Sequence, residues 1–373
     1  MKKLSQRAQS LHLKFLFNSL SVSQFLKCSC MDFMVDIDVR NLARQIGYRD
    51  KILLIGSCFT EHIGTSLAEL KFSVLQNPNG ILFDPHSVSR SIQSYLRNKR
   101  YTEGDFFQLN EIWHSWEHHS QYSDVNREHA VHRVNASQAE AYEFLGAADW
   151  IIITLGSAFS YRLTDAAMKA GAPGQKSSSG MPTITERGVA NCHRAPAQWF
   201  DKHMLTIDEI ISVLDDCLQE LFAFNPGINV IFTVSPVRHI RDGVVDNNRS
   251  KARLIESVHH LVQKFERVNY FPAYELVIDV LRDYRFYDVD LVHPNYMATD
   301  FVLQKFAESC IDPESRALME EVKQIVTARK HKAFQPETAA HRQFLASYFE
   351  KASQLRARYP FLDFTEEINY FKA

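Results

Sequence analysis

The sequence has few cysteines, glycines and prolines, no excess of positive charge and no long apolar run. Six cysteines among 373 residues are too sparse for a fold built on disulfides and are typical of a reducing compartment. Thirteen glycines and 12 prolines exclude collagen-like and low-complexity chains. With 42 lysine and arginine residues against 44 aspartate and glutamate residues, the net charge of −2 provides no basic surface for nucleic acid. No apolar stretch reaches the roughly 18 residues that predict a membrane span.

The composition that remains is that of an ordinary globular protein. Hydrophobic residues make up 45% of the chain and charged residues 23%, so a buried core is expected. A length of 373 residues allows one large domain with appendages or two smaller domains.

Residues 1–34 are expected to be a disordered leader or a misassigned start, with the working chain beginning at Met31 or Met34. The segment begins with basic residues, but polar residues such as His12 and Lys14 interrupt the apolar part that a secretory signal needs. We therefore expect a cytoplasmic protein. Export through a weak N-terminal signal is the alternative.

Short apolar runs alternate with amphipathic helices in the middle of the chain, which predicts a parallel sheet covered by helices on both faces. Thr206 and Glu209 form a capping box that opens one helix. A segment near 166–197 is rich in Gly, Ser and Pro and predicts a loop-rich insertion. We expect a three-layer α/β/α domain over 35–312 and a helical extension over 313–373. The predicted strands are Lys51–Ile55, Phe72–Leu75, Trp150–Leu155 and Asn229–Val234, and the predicted helices are Glu61–Leu70, Ser87–Leu96, Thr206–Phe222 and Arg249–Val268.

Ligands of an open parallel sheet bind beyond the carboxyl ends of its strands, so residues that follow strands are the candidate site. Gly56, Ser57 and Cys58 follow the first strand and precede a helix. The N–H groups and the dipole of a helix N-terminus would lower the pKa of a thiol there and stabilise an oxyanion. A purely structural role stays open, with Gly56 in the turn, Ser57 as the helix N-cap and Cys58 as a small buried residue.

Asp290 and His293 form a second candidate. A D-x-x-H spacing lets one loop hold a histidine base together with the carboxylate that orients it. His293 is the only histidine of the chain with an aspartate three residues before it. It lies late in the chain and precedes Pro294, where the last crossover of such a sheet is expected to end.

Six ordered sequence blocks resemble the GSCFA family, a branch of the SGNH (GDSL-like) hydrolase superfamily. The resemblance extends from about residue 34 to 310 and leaves both ends of the chain outside it. The blocks are ILLIGSCFTEHIG (52–64), NPNGILFDP (77–85), TLGSAFSY (154–161), NCHRAP (191–196), TVSPVRH (233–239) and FPAYELVIDVLRDYRFYDVDLVHPN (271–295).

The resemblance implies an SGNH or flavodoxin-like fold and catalysis through a covalent acyl-enzyme. Aligned without gaps with the Gly-Asp-Ser block of the superfamily, Cys58 takes the position of the nucleophile. A shift of one residue would place Ser57 there instead. Asp290 and His293 match the last block, which implies an orienting carboxylate and a general base.

The oxyanion hole is implied only in part. Gly80 resembles the second block, whose glycine N–H contributes one donor. The superfamily has Gly-x-Asn-Asp in its third block, whereas this chain has Gly156 and then Ala158, which offers no side-chain donor. Either another donor replaces it or the protein is a weaker or different catalyst. The candidates for a replacement donor are Asn77, Asn191 and His193.

Further residues are expected to line the substrate site. Arg238 and His239 follow a predicted strand and would hold an anionic group or be solvated loop cations. Residues 191–193 would fold over the site or form a capped turn. His114 and His118 have the spacing of helical zinc ligands, but no ligand set accompanies them, so no metal is expected. The residues expected to contact substrate are His193, Gly156, Arg238, His239, Trp113 and His118.

These features favour an SGNH-type ester hydrolase or acyltransferase without a cofactor. The superfamily and the aromatic, histidine-rich segment around Trp113 suggest an O-acylated carbohydrate as substrate. The expected partner is therefore a small molecule or a glycan, and the sequence does not indicate an oligomeric state. A non-catalytic carbohydrate- or ligand-binding protein that retains the scaffold is the alternative, motivated by Ala158.

Overall fold

The computed structural model describes residues 34–170 and 188–372. Contacts divide the chain at Asp36, and the elements below belong to the unit that begins at Ile37. The strands are β1 (Lys51–Gly56), β2 (Ser73–Gln76), β3 (Phe107–Leu109), β4 (Ile112–His114), β5 (Trp150–Leu155), β6 (Phe159–Leu163), β7 (Gly188–Val189), β8 (Phe200–Met204), β9 (Asn229–Val234) and β10 (Val268–Tyr270). The helices are α1 (Cys58–Glu69), α2 (Pro85–Leu96), α3 (Arg127–Gly146), α4 (Asp165–Lys169), α5 (Ile207–Phe224), α6 (Val244–Lys264), α7 (Ala273–Glu275, extended by a π-helical turn at Leu276–Leu281), α8 (Tyr296–Cys310), α9 (Pro313–Lys330), α10 (Ala339–Arg358) and α11 (Thr365–Lys372).

Five strands form a parallel sheet in the order β2-β1-β5-β9-β10. Counted along the chain, this is the order 2-1-3-4-5 of flavodoxin-like folds. The connections that leave β1 and β5 therefore diverge, and a crevice opens between the carboxyl ends of these two strands. Gly56 and Thr154 are partners in the β1–β5 register, so they mark the edge at which a ligand of such a fold binds.

The sheet lies between two apolar layers. All six residues of β5 and all six of β9 are buried. Along β5, Trp150 and Ile152 belong to the core on one face, and Ile151 and Ile153 belong to the core on the other. The first core includes residues of α1, α8 and the C-terminal helices, whereas the second includes residues of α2, α3, α5 and α6. The predicted three-layer sandwich with C-terminal helices is confirmed.

Two small antiparallel sheets lie outside the central sheet. β3 pairs with β4, and β6 lies between β7 and β8. The insertion near 166–197 is thus less irregular than predicted, because Asp165–Lys169 is helical and Gly188–Val189 pairs with β6. The Gly- and Ser-rich centre of the insertion, residues 171–187, lies outside the described residues.

All four predicted helices differ from the observed ones at their ends, and the differences are largest in α1 and α6. α6 begins at Val244, five residues earlier than predicted. α1 begins at Cys58, three residues earlier than predicted, because Ser57 already has the extended conformation of an N-cap. α6 ends at Lys264 rather than Val268, since the chain becomes extended again at Phe265 and then enters β10. Three residues of strand are too few to show a periodicity of their own in the sequence.

The capping box of α5 is confirmed. Thr206 donates its N–H to Glu209 at 2.7 Å, and Glu209 returns its N–H to Thr206 Oγ1 at 3.2 Å. No helix among the described residues is long and apolar enough to cross a membrane. Residues 1–33 of the expected leader lie outside the described residues. The domain limits 35–312 and 313–373 stay predictions.

Gly56→Ala is expected to lower the free energy of unfolding by roughly 2–4 kcal/mol. Gly56 has a φ of 140°, and an added Cβ would lie 2.1 Å from the carbonyl oxygen of Thr154. Urea unfolding followed by circular dichroism measures the change. Gly104→Ala is the control, since its Cβ would lie 3.5 Å from its nearest neighbour, Thr102 Oγ1. Equal losses for the two substitutions would contradict the argument.

Candidate functional site

Backbone contacts between the ends of β1 and β5 fix the start of α1. The N–H of Ser57 donates to the carbonyl of Thr154 at 3.2 Å. The preceding residue, Gly56, lies so close to the same carbonyl that only glycine fits there. The carbonyl of Gly56 accepts the N–H of Leu82 at 2.9 Å. The turn is thus held by segments on both sides, and Cys58 becomes the first residue of α1.

Ser57 and Cys58 differ in accessibility. Ser57 is 1% exposed, and its Oγ is buried with no hydrogen-bond partner in the described structure. Ser57 occupies the N-cap position of α1, but its side chain makes no cap hydrogen bond. Only its backbone therefore acts as the N-cap. Cys58 is partly exposed. Of the two candidate nucleophiles, Cys58 is the more accessible.

Burial raises the pKa of the Cys58 thiol above its usual value, and Glu61 adds to the effect. The N–H groups of Phe59 and Cys58 at the start of α1, together with Lys251, act in the opposite direction. The expected lowering of the thiol pKa by the helix N-terminus is therefore wrong, because desolvation of the thiolate outweighs these groups. At neutral pH the thiol is protonated, and it needs a base to become a nucleophile.

Asn77 places an amide donor beside the same turn. Its Oδ1 accepts the N–H of Gly56 at 2.9 Å, and its own N–H donates to the carbonyl of Leu54 at 2.8 Å. Its Nδ2 group is buried and has no hydrogen-bond partner among the described residues. Because an unpaired buried donor costs free energy, this group favours an acceptor that binds at the turn.

Gly80, the other expected oxyanion donor, uses its N–H within its own turn. The N–H donates to the carbonyl of Asn77 at 2.7 Å. Gly80 has a φ of 77°, and an added Cβ would lie 2.2 Å from His119 Cβ. Turn geometry and close packing thus explain the glycine, and its oxyanion role stays a prediction.

Asp290 and His293 form a hydrogen-bonded pair within one loop. Asp290 Oδ2 lies 2.6 Å from His293 Nδ1, and Oδ1 accepts the N–H groups of Val292 and His293 at 2.9 and 3.0 Å. Hydrogen bonds from His293 and Val292 lower the pKa of Asp290 to about 2, so the carboxylate is ionised at neutral pH. His293 Nδ1 then carries the proton, and Nε2 is the acceptor that a general base needs.

His293 and Cys58 lie at the same edge of the sheet without a direct bond. His239, which follows β9, is influenced electrostatically by both Lys251 and His293, and Lys251 is influenced by Cys58. Within residues 34–170 and 188–372, no hydrogen bond joins His293 to Ser57 or Cys58. The pair Asp290 and His293 is nearly half exposed, at 46% for each side chain.

Arg238 and His239 are two further predicted residues at this edge. The ring of His239 packs against Phe83 with centroids 5.6 Å apart. The backbone N–H of His239 donates to Asn247 Oδ1 at 2.9 Å. Burial lowers the pKa of His239 to about 4, so this histidine is neutral at pH 7. The guanidinium of Arg238 lies 5.8 Å from the ring centroid of Tyr287, which connects the loop after β9 with the loop of His293.

The loop after β5 offers no donor of the kind that the superfamily uses. Gly156 and Ser157 donate their N–H groups to the carbonyl of Phe83 at 2.8 and 3.0 Å. Ala158 is fully buried, and its N–H donates to Ser250 Oγ at 2.7 Å. These N–H groups are thus occupied in holding the loop.

The other predicted residues lie in a buried aromatic region around β3 and β4. His193 Nε2 donates to the carbonyl of Ser115 at 2.8 Å, and its ring lies 4.5 Å from that of His114. Asn191 Oδ1 accepts the N–H of His193 at 2.9 Å, which makes the capped turn considered above. His118 is 1% exposed, with Nδ1 2.9 Å from Ser115 Oγ. Burial lowers the pKa of His118 and of His193 to about 4, so both are neutral.

This region contacts the turn after β2, where the N–H of His119 donates to the carbonyl of Asn79 at 2.8 Å. The guanidinium of Arg127 covers Trp113 at 4.4 Å from its ring centroid. Within the described chain, no hydrogen bond or ring contact connects Trp113, His118 or His193 to Cys58. His114 ends a strand, so the helical spacing considered for a zinc site does not exist. No three metal-ligating side chains come together among the described residues.

A buried lysine at this edge is not among the residues predicted from the sequence. Lys251 on α6 is 1% exposed, and its Nζ donates to the carbonyls of Gly156 and Ser235, each at 2.6 Å. These two residues directly follow β5 and β9. The one sequence signal that could have indicated its burial is helical phase. Lys251 lies on the same helix face as the buried residues Leu254 and Val258, three and seven positions later.

The fold and this edge define a flavodoxin-like α/β protein with polar groups at the switch point between β1 and β5. The sequence model of the GSCFA family matches residues 51–306. A second model, described as the GSCFA domain protein, C-terminal domain, matches residues 322–373. The chain belongs to the GSCFA family.

No curated protein matches the chain. Among solved structures, it is similar to a carbohydrate esterase of family 3 from Talaromyces cellulolyticus, with a TM-score of 0.32 and 12% identity over 74% of this chain and 99% of that one. An acetyl esterase mutant with an acetate ion gives the same TM-score of 0.32, the same 12% identity and the same coverage. A likeness of this degree carries no argument about activity.

Iodoacetamide is expected to label Cys58 and Cys192 in the folded protein and to leave Cys217 and Cys310 unlabelled until unfolding. The first two thiols are partly exposed, whereas the other two are buried. The labelling rate of Cys58 should reach its midpoint at a higher pH than that of free N-acetylcysteine, because burial raises its pKa. Mass spectrometry of the Cys58 peptide across a pH series measures the rate. A midpoint below the reference contradicts the burial argument.

Proposed function

We propose that the chain is an ester hydrolase or acyltransferase that forms a covalent acyl-enzyme on Cys58. The observation that supports it is a partly exposed thiol at the start of α1, at the same sheet edge as the hydrogen-bonded pair Asp290 and His293. Acyl transfer needs a nucleophile, a base and a group that orients the base, and these three side chains supply them. The resemblance of the motifs to those of SGNH hydrolases favours the same chemistry.

In the first step, His293 Nε2 accepts the proton of the Cys58 thiol while Sγ attacks the carbonyl carbon of the ester. Asp290 stays ionised and stabilises the imidazolium. Collapse of the tetrahedral intermediate breaks the bond to the alcohol oxygen, which leaves with the proton from His293. A second hydroxyl then gives its proton to His293 and attacks the thioester carbonyl. The C–S bond breaks, and His293 returns the proton to Sγ, which restores the Cys58 thiol and the neutral imidazole. The contact between His293 and Cys58 forms in the substrate complex, where catalytic hydrogen bonds commonly shorten.

We assign Asn77 Nδ2 to the developing oxyanion. Asn77 is held against Gly56, two residues before Cys58, and its Nδ2 is a buried amide donor without a partner among the described residues. The alternatives are less suitable, because Gly80 uses its N–H within the turn and Asn191 lies in the aromatic region. A donor on the loop after β2 would thus replace the one that Ala158 lacks.

The substrate class that we favour is an O-acylated carbohydrate. The segment around Trp113 that suggested it is packed, but Tyr284 and Tyr296 are 67% and 79% exposed on either side of Asp290 and His293 in the sequence. Exposed aromatic rings offer flat apolar faces to a sugar ring, with a polar tip for its hydroxyls. Water as the final acceptor gives hydrolysis, and a sugar hydroxyl gives transfer.

Cys58→Ala is expected to lower the turnover of a model acetyl ester by at least about 10³-fold, as removal of a nucleophile commonly does. Ser57→Ala should leave turnover nearly unchanged, since the Ser57 hydroxyl is buried and unbonded. Among the described cysteines, Cys192 is the other partly exposed one, and Cys192→Ala serves as the control. Release of 4-nitrophenol from its acetate ester measures turnover, and intact mass detects the acyl-enzyme.

The same three variants decide between the alternatives. Wild-type turnover by Cys58→Ala would remove Cys58 from the proposed role, and loss with Ser57→Ala alone would assign the role to Ser57. If the wild-type protein neither turns over nor acylates while an acetylated glycan raises its melting temperature, the non-catalytic binding protein is favoured instead.

Asn77→Asp is expected to lower kcat for the same ester by about 10²–10³-fold with little change in KM. The aspartate keeps an oxygen for the N–H of Gly56, and it replaces the Nδ2 donor with a charged oxygen that can only accept and that repels an oxyanion. Asn191→Asp is the matched control, because Asn191 offers its oxygen to His193, and it should retain kcat. Thermal unfolding verifies that both variants are folded, and equal losses of kcat would contradict the assignment.

A further inference from the structure

Glu117 is a buried carboxylate that the proposed reaction does not use. It lies in residues 113–119, which we call the histidine-rich segment, and its side chain is 7% exposed. Lys99 Nζ donates to its two oxygens at 2.8 and 3.0 Å, and the Tyr101 hydroxyl donates to Oε2 at 2.6 Å. Burial acts to raise the pKa of Glu117, but Lys99 and Arg90 outweigh it and hold the pKa below its usual value. The carboxylate is therefore ionised at neutral pH and held by charge-assisted hydrogen bonds.

Hydrogen bonds within the histidine-rich segment connect Glu117 to its neighbours. The N–H of Glu117 donates to Ser115 Oγ at 3.3 Å, and the same hydroxyl lies 2.9 Å from His118 Nδ1. The carbonyl of Ser115 accepts the N–H of His118 at 3.3 Å. Because these bonds close the backbone into a turn, a displacement of Glu117 would also displace His119, two residues later.

The histidine-rich segment holds the turn after β2. The N–H of His119 donates to the carbonyl of Asn79 at 2.8 Å, and Asn79 Nδ2 donates to the carbonyl of Glu117 at 3.5 Å. Gly80 packs so closely that an added Cβ would lie 2.2 Å from His119 Cβ. The first residue of this turn is Asn77, whose side chain is the proposed oxyanion donor.

Helix α3 supports both the turn and the ion pair. Ser137 Oγ donates to the carbonyl of Pro78 at 2.7 Å. Asn135 accepts the N–H of Tyr101 at 2.9 Å and donates to its carbonyl at 2.8 Å. Tyr101 in turn donates to Glu117. The buried ion pair and the turn after β2 therefore belong to one hydrogen-bonded framework.

We propose that Glu117 is a positioning residue for the acyl transfer, because its ion pair with Lys99 fixes the histidine-rich segment, and this segment fixes the turn that carries Asn77. Glu117 neither gives nor takes a proton in the reaction. Its role in turnover rests on the proposed function, whereas its support of the turn does not.

Lys99→Met is expected to lower kcat for the model acetyl ester by about 10–100-fold with little change in KM, because a displaced oxyanion donor weakens binding of the transition state alone. Arg97→Met is the matched control. Arg97 pairs with Glu220 at 3.0 Å on the surface, so its loss should leave kcat unchanged. Thermal unfolding verifies that both variants are folded. An unchanged kcat in a folded Lys99→Met protein overturns the proposal.

A double substitution separates positioning of the donor from general stability. If Lys99 acts through Asn77, then Lys99→Met should lower kcat by no more than about twofold in the Asn77→Asp protein, because the donor is already absent there. If Lys99→Met lowers kcat by the same factor with and without the donor, its effect does not pass through Asn77, and the proposal is overturned.

Hydrogen exchange tests the support of the turn without an ester. Lys99→Met should speed the exchange of the His119 and Gly80 amides by about 10-fold or more, because both N–H groups donate to carbonyls of the turn. The Ser235 amide, which donates to the last residue of β5, is the internal reference and should not change. NMR spectra recorded in D₂O measure the rates. Unchanged exchange at both amides overturns the proposal.

Tyr101→Phe applies the same exchange measurement if Lys99→Met does not fold. It removes only the hydroxyl that donates to Glu117, and the same two amides should exchange faster. An absence of turnover in the wild-type protein would overturn the proposed function and with it the role of Glu117 in turnover. Faster exchange in the variant would still support the connection between Glu117 and the turn.

Discussion

The contact between Gly56 and Thr154 is the constraint on which the candidate site depends. The strand order places the ends of β1 and β5 side by side, and the missing side chain at Gly56 lets the two backbones approach until Ser57 bonds to Thr154. Helix α1 can then begin at once, which puts Cys58 at its first position. The same Gly56 offers its N–H to Asn77. One glycine therefore positions both the proposed nucleophile and the proposed oxyanion donor.

Burial, rather than the helix N-terminus, decides the charge state of this edge. The groups that would favour a thiolate at Cys58 are present, but desolvation outweighs them. The same effect keeps His239 neutral and lowers the pKa of Lys251 to about 7. Asp290 differs because it is exposed and bonded to N–H groups of its own loop, so it stays ionised. In the proposed reaction, charge at Cys58 arises only when His293 takes the proton.

The parts of the fold that could be predicted are those with a local cause. The apolar runs of β1, β5 and β9 and the capping box of α5 are visible in the sequence, because each depends on neighbours within a few residues. The pair Asp290 and His293 was predictable for the same reason. Both hydrogen bonds between the two residues, one from the backbone N–H of His293 and one from its ring, are made within one short loop.

What could not be predicted depends on residues far apart in the chain. Lys251 bonds to Gly156 across 95 positions, and the one signal of its burial in the nearby sequence is its helical phase with Leu254 and Val258. Strands β6 and β8, FSYRL and FDKHM, carry too many polar residues to be recognised as strands, because they gain their stability from pairing with each other. The sign of the pKa shift at Cys58 was missed because a motif does not show how deeply its residues are buried.

Ala158 stands where the superfamily has an asparagine that donates to the oxyanion, and this difference is the strongest sequence argument against catalysis. The contacts around Ala158 and Asn77 weaken that argument. Ala158 is fully buried and its N–H donates to Ser250 Oγ, so Ser250 of α6 holds this loop in place. Across the switch point, Asn77 keeps a buried amide donor without a partner. In the proposed reaction the oxyanion would accept from this donor, and the free-energy cost of an unpaired buried group would then be offset. In the proposed reaction the oxyanion donor is therefore on the loop after β2 rather than on the loop after β5.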